Sequence, residues 1–266
     1  MSIQTIVTQL KELGLEGMAE SFDATMALPI QKRPSIERAV EKMIESEICM
    51  RDRKLYDRLV KAAKLRYNVY IENITCSTAR NLTEAQLGEL ADCSFVRRGE
   101  NLLITGLGPA LCKYNVFGGR GENLLITGLT GCGKSYLACA LGRQACALGL
   151  STLYLSMNHF ADELSKAKLE GTMEKLLQKL GKKRLLIFDD FGLHALTQEA
   201  RIALLTILED RYGEKSVIIT SQLPLERWYD YIAEPTLADA IMDRLINSST
   251  HIRLEGETMR GRKRKK

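Results

Sequence analysis

The chain has 266 residues, 45% of them hydrophobic and 27% charged, which suits one large soluble domain or a standard domain with a smaller attachment. No apolar run approaches the ~18 residues of a membrane span, and MSIQTIVTQLKELG lacks the basic start and apolar stretch of a signal peptide, so a cytoplasmic protein is expected. The seven cysteines are odd in number, scattered and without a CxxC pair, which argues against a disulfide framework or a zinc site.

Residues 1–67 read as a helical module. Ser35 begins a capping pattern, and Ile36, Val40, Met43, Ile44 and Ile48 then recur at helical spacing, as do Leu55, Leu59 and Ala63. One apolar stripe and one basic face are expected. The net charge is only +5, but the basic residues cluster. Arg51, Arg53, Lys54, Arg58, Lys61, Lys64 and Arg66 fall in one stretch, and the chain ends in a basic tail over residues 257–266. Clustered positive charge at two places suggests a polyanionic partner, with nucleic acid the first candidate. Residues 68–97 read as a short helical connector.

Residues 98–119 hold an internal repeat. Arg98-Gly-Glu-Asn-Leu-Leu-Ile-Thr-Gly-Leu107 recurs as Arg120 to Leu129, ten identical residues at a 22-residue offset. The first copy continues Gly108-Pro-Ala-Leu-Cys-Lys113 and has no Gly-Lys-Ser ending. This is a local tandem duplication. The first copy either competes for a central strand position or lies as an extra loop, and the sequence leaves both open.

From residue 120 to 256, strands alternate with helices. This is an α/β pattern, a parallel sheet flanked by helices. Asn123-Leu-Leu-Ile-Thr127 reads as a strand leading straight into Gly128-Leu129-Thr130-Gly131-Cys132-Gly133-Lys134-Ser135. Glycines let successive backbone N–H groups face phosphate oxygens, and the following helix N-terminus adds partial positive charge. Lys134 is expected to reach the β- and γ-phosphates and the Ser135 hydroxyl to ligate Mg²⁺. Leu185-Leu-Ile-Phe-Asp189-Asp190 is an apolar strand delivering two acids at its C-terminal edge. Asp189 suits the metal, and Asp190 suits a general base that orients the attacking water. A further strand, Ser216 to Thr220, could bring Thr220, Ser221 or Gln222 beside the γ-phosphate. Arg244, in a late helix, could reach a neighbouring subunit's nucleotide or make a surface ion pair. No Asn-Lys-x-Asp motif follows the loop, which favours ATP over GTP.

The order of these motifs resembles the helicase-loader clade of AAA+ ATPases, and most closely the IstB-like transposition helper proteins. The residues that carry the resemblance are GENLLITGLTGCGKSYLACALG (121–142), LLIFDDFG (185–192), VIITSQLPLERW (217–228), ADAIMDRLINSSTHIRLEGETMR (238–260) and the opening VTQLKELGLEGMAESF. The resemblance implies an AAA+ core that binds ATP and Mg²⁺, hydrolyses ATP and self-assembles with ATP into a homo-oligomer on double-stranded DNA. It also implies a partner transposase that the protein assists. On this resemblance Lys134 and Ser135 are the phosphate-loop pair, Asp189 the metal acid, Gln222 the first sensor and Arg244 the inter-subunit arginine. Asp190 stands where many AAA+ ATPases carry Glu, and Gln222 where related loaders carry Asn. The rival readings are a replicative helicase loader, a small-molecule kinase, and a scaffold whose duplication has spoiled the nucleotide site.

Overall fold

The computed structural model describes residues 2–99, 101–104, 131–246, 249–252, 254–255 and 259, with only the backbone described at 101–104, 250 and 251. The chain divides into two units, Met1–Arg58 and Leu59–Lys266, a boundary nine residues before the one read from the sequence. The strand Asn123–Thr127 and the loop residues Gly128, Leu129 and Thr130 lie outside the described residues, as does nearly all of the basic tail.

The first unit holds α1 (Ile3–Glu12), α2 (Glu16–Met26) and the start of α3 (Ile36–Ala63), a helix that ends in the second unit. Ser2 caps α1 by accepting from the Thr5 N–H. The buried Glu47 carboxylate accepts from the Gly17 and Met18 N–H groups at 2.8 and 3.3 Å and from Arg51 Nε at 2.7 Å. An anion thus sits on the open N–H groups at the start of α2. Gly17 is required by contact, because a Cβ there would lie 2.5 Å from the Ser46 carbonyl oxygen. The Ser46–Glu47 side of α3 is therefore the side that α2 covers. The apolar stripe read from the sequence is not covered by the described residues: Ile36, Val40, Ile44 and Ile48 are all exposed. Helical spacing identified one apolar face but not which face a neighbour would take.

The second unit is built on a five-stranded parallel sheet. Its strands are β1 (Asn101–Ile104), β2 (Thr152–Ser156), β3 (Leu185–Phe191), β4 (Ser216–Ser221) and β5 (Ser249–Ile252), in the order β2-β3-β4-β1-β5. Helices follow the strands: α6 (Lys134–Ala147), α7 (Met157–Leu169), α8 (Met173–Gly181), α9 (Gln198–Arg211), α10 (Trp228–Ile232) and α11 (Pro235–Ile246). Two short helices, α4 (Glu84–Ala91) and α5 (Ser94–Arg98), precede β1. Alternate residues of each strand feed opposite faces. Leu185, Ile187 and Ile218 pack with Leu137, Ala138 and Leu141 of α6, while Leu186, Phe188, Val217 and Ile219 pack with Phe160, Leu204, Ile207 and Ile241. Both faces are covered, which is why β3 and β4 read as near-continuous apolar runs.

The first copy of the repeat fills the sheet position beside β4. Leu102, Leu103 and Ile104 pair in parallel with Ile218, Ile219 and Thr220, and Asn101–Ile104 pair on the other side with Ser249–Ile252. Of the two places the sequence left open for the first copy, a central strand or an extra loop, Asn101–Ile104 take the strand. In this arrangement residues 105–133, 29 in all, lie between the strand and the helix that Lys134 opens.

Arg211 ties the entry ends of β3 and β4 together. It is 1% exposed, and it donates to the carbonyls of Leu180, Lys183, Arg184 and Ser216 at 3.4, 2.8, 3.1 and 2.6 Å. Five guanidinium N–H donors on a rigid fork suit several carbonyls converging from different segments.

Candidate functional site

Helix α6 opens at Lys134 from a turn in which Gly131 and Gly133 have φ of +90° and +95°. Only glycine takes that conformation without strain, and turns of this kind can present successive N–H groups to an anion. Lys134 is 7% exposed, and its Nζ lies 3.9 Å from Cys132 Sγ. Two contacts brace the turn: Arg80 Nη2 donates to the Cys132 carbonyl at 2.9 Å, and the Met259 N–H to the Gly131 carbonyl at 3.0 Å.

Asp189 is the centre of the polar cluster. It is fully buried, and its Oδ1 accepts from Ser135 Oγ at 2.8 Å and from Thr220 Oγ1. Its Oδ2 accepts from the Tyr154 hydroxyl at 2.5 Å and faces Arg66 Nη1 at 3.5 Å. The Ser135–Asp189 bond joins the start of α6 to β3. Thr220, at the end of β4, also accepts from the Asp190 N–H at 3.1 Å.

Adjacent strand residues normally point to opposite faces, so Asp189 and Asp190 should diverge. They do not. The pairing of β3 with β4 runs Phe188 with Ile219 and then Phe191 with Ser221, one extra residue on β3. This is a β-bulge, and Asp190 takes φ +62° within it, an uncommon conformation for a residue other than glycine. The bulge turns the second carboxylate back toward the first, and Asp190 Oδ2 lies 3.2 Å from the same Arg66 Nη1 that faces Asp189. Burial, then the charge of Asp189, raise the Asp190 pKa above the ordinary carboxylate value, with Arg66 and Lys134 opposing. Burial likewise raises the Tyr154 hydroxyl, followed by Asp189, so Tyr154 remains a donor at neutral pH.

The structure brings together Lys134, Ser135, Asp189 and Asp190 as the sequence motifs suggested. Of the three polar candidates at the end of β4, Thr220 bonds both acidic residues, the Asp189 carboxylate and the Asp190 backbone N–H. Ser221 Oγ instead donates to the Phe191 carbonyl at 2.6 Å and accepts from Leu223 N–H at 3.0 Å, so it braces the bulge. Gln222 lies one residue beyond the strand. Arg244 bonds the Ala240 carbonyl at 3.0 Å and Glu209 Oε1 at 2.8 Å, the ion pair that sequence reasoning held as its alternative. Three residues of the site were not singled out for it: Arg66, Tyr154 and Arg80. The one available signal was Tyr154, a hydroxyl-tipped side chain inside an otherwise apolar strand. Arg66 was grouped with the basic run of α3.

Ser135 hydroxyl and Asp189 carboxylate are hard oxygen donors of the kind Mg²⁺ takes alongside phosphate oxygens and water. Among the described residues no three His, Cys, Asp or Glu side chains gather as metal ligands.

A parallel sheet with the phosphate-loop helix entering beside a buried acid is the AAA+ P-loop architecture. Solved structures share it: DnaI matches with a TM-score of 0.53 at 17% identity over 74% of this chain and 93% of that one. DnaA bound to AMPPCP and single-stranded DNA matches with a TM-score of 0.52 at 16% identity, over 73% of this chain and 52% of that one. The chain belongs to the IstB-like ATP binding protein family, which matches residues 8–116 and 114–266. The two matched stretches meet inside the duplicated region. A Sinorhizobium fredii protein named as the insertion sequence ATP-binding protein y4pL is 38% identical over 97% of this chain and 96% of its own length. A Pseudomonas fluorescens protein, named for the insertion sequence IS1162, is 36% identical over 84% and 88%.

Proposed function

We propose that the protein is a DNA-binding ATPase that assembles with ATP on double-stranded DNA and assists a partner transposase. The observation that carries this reading is the bond from Ser135 to the buried Asp189 beside Lys134. Lys134 neutralises phosphate charge, and the N–H groups of the glycine turn orient the phosphates. Mg²⁺, when bound with ATP, supplies charge neutralisation at the transferring phosphoryl group, and Ser135 and Asp189 are the residues that would hold it. Tyr154 and Thr220 fix the Asp189 carboxylate by donating to one oxygen each. Asp190, raised in pKa and turned inward by the bulge, accepts a hydrogen bond from the attacking water and orients it. Thr220 bonds both acidic residues and, with Gln222 just beyond it, forms the edge that senses hydrolysis.

Arg244 completes a neighbouring subunit's site once it is released from Glu209, and this makes ATP binding a condition of assembly. The names of the relatives support the insertion-sequence setting. Exposed Arg53, Arg58 and Lys61 on α3 and Lys64 just beyond it, with the tail residues 257–266, contact DNA phosphates. Such contacts are insensitive to sequence and weaken steeply with salt. Among the described residues no helix is long and apolar enough to cross a membrane.

The test is assembly on duplex DNA, read by sedimentation with and without ATP for wild type and Lys134→Ala. Wild type should form a large ATP-dependent complex that the variant does not. A wild type that stays the same size with ATP and DNA refutes the proposal. Co-purification with the transposase rather than a replicative helicase separates this reading from a helicase loader.

A further inference from the structure

The segment after α3 is held in place at alternate residues. Lys64 ends the helix at φ +52°, and the chain then bends at Arg66 and Tyr67. Leu65, Tyr67, Val69 and Ile71 pack against the core, with Val69 fully buried and the Tyr67 ring in a tilted contact at 5.9 Å with that of Tyr136, the residue after Ser135. The intervening residues point the other way. Asn68 and Tyr70 receive hydrogen bonds from Arg143, and Arg66 reaches the acid pair. The backbone that carries Arg66 is therefore fixed beside the phosphate loop.

Asp189 is fully buried and the Asp190 side chain is 29% exposed, while that of Arg66 is 44% exposed. The guanidinium thus covers the acids from the solvent side. Two carboxylates brought together by the bulge repel each other and call for a cation. Mg²⁺ and the Arg66 guanidinium are alternative countercations for the same carboxylate pair, and two cations a few ångströms apart repel.

Resting on the ATP-site reading above, we infer that Arg66 is a tethered countercation of the acid pair, which holds Asp189 and Asp190 until Mg²⁺ arrives with the nucleotide and must swing off them for the metal to bind. Arg66 then sets the magnesium threshold of the site. The long side chain on a fixed backbone makes this a rotamer change, with the packing of Leu65, Tyr67 and Val69 unaltered. A further consequence is that the end of α3 is linked through three residues to the state of the nucleotide site.

The experiment measures binding of the fluorescent analogue mant-ATP to the full chain across free Mg²⁺ from EDTA to millimolar. It compares wild type, Arg66→Ala, Arg66→Lys and Lys134→Ala. Arg66→Ala should lower the Mg²⁺ concentration for half-maximal binding by about three- to tenfold, as expected for removing one competing cation worth about 1 kcal/mol at a partly exposed pair. In EDTA the same variant should bind more weakly than wild type, because bare carboxylates then face the phosphates. Arg66→Lys keeps the charge and should stay near wild type in both limits. This crossing is the signature, since general damage to the fold weakens binding under both conditions. Weaker binding of Arg66→Ala at every Mg²⁺ concentration would make Arg66 a phosphate ligand and overturn the inference, as would an unchanged threshold. If wild type binds no mant-ATP, or Lys134→Ala binds as wild type does, the ATP-site reading fails and the inference with it.

Discussion

The Ser135 hydroxyl donates to Asp189 Oδ1 at 2.8 Å across 54 positions of sequence. That single bond locks the first turn of α6 to the end of β3 and places the phosphate-loop hydroxyl on a fully buried carboxylate. Asp189 accepts from Tyr154, Thr220 and Ser135, so its orientation is fixed before any ligand arrives. Preorganised groups of this kind avoid reorganisation when charge develops.

Asp190→Asn separates chemistry from stability. Its pKa is raised, first by burial and then by Asp189. The folded state therefore binds more protons than the unfolded one between the ordinary carboxylate pKa and the raised one. Its contribution to stability is full below that window and is lost as pH rises through it. At neutral pH the ionised carboxylate opposes folding, and the isosteric amide removes that charge. The variant should melt about 1–3 °C higher than wild type at pH 7 in the absence of nucleotide, with the gain shrinking toward pH 4. Its ATP turnover should fall about 100-fold or more, the scale of losing a positioned general base. Calorimetry at two pH values and a phosphate-release assay check both halves.

Deleting residues 99–120 tests the duplication. The cut joins Arg98 to Gly121 and leaves one copy of Gly-Glu-Asn-Leu-Leu-Ile-Thr-Gly-Leu running into Thr130. The interval between strand and helix then shrinks from 29 residues to the seven of 127–133. Two halvings of a loop lower its closure entropy cost by about 1 kcal/mol. The deletion should raise the melting temperature by about 2–4 °C and tighten mant-ATP binding. A lower melting temperature would show that the longer chain contributes packing of its own.

Arg211→Ala should destabilise the second unit more than any surface change. It leaves the carbonyls of Leu180, Lys183, Arg184 and Ser216 without their shared donor. The expected loss is about 3 kcal/mol, the scale of orphaned polar groups in an interior. Nucleotide affinity of the folded fraction should be unchanged, because Arg211 sits at the strand ends opposite the acids. Denaturant titration and mant-ATP binding separate the two effects.

The buried central strands and the acid pair were legible because covered parallel strands are continuous apolar runs, and Leu185 to Phe188 is one. The glycine turn before Lys134 was legible because its φ values admit little else. The bulge at Asp190 was not, since register depends on the pairing of Phe191 with Ser221 and no local pattern encodes that. Arg66 was hidden for a related reason: a basic residue at the end of a basic helix looks like its neighbours until the alternation of Leu65, Tyr67 and Val69 turns it toward Asp190. The exposed stripe of Ile36, Val40, Ile44 and Ile48 shows the converse limit, a correct period without its covering partner. The identical repeat copies offered one strand position to two segments, and composition could not rank them.

The most direct measurement is ATP affinity by titration calorimetry with Mg²⁺ present, for the full chain and for Lys134→Ala. The site described here predicts saturable binding of one ATP per chain and a loss of at least about 100-fold in the variant, as expected for removing a buried charge that faces phosphate. Equal affinity in the two proteins, or no binding by wild type, would contradict a nucleotide site built on Lys134, Ser135 and Asp189.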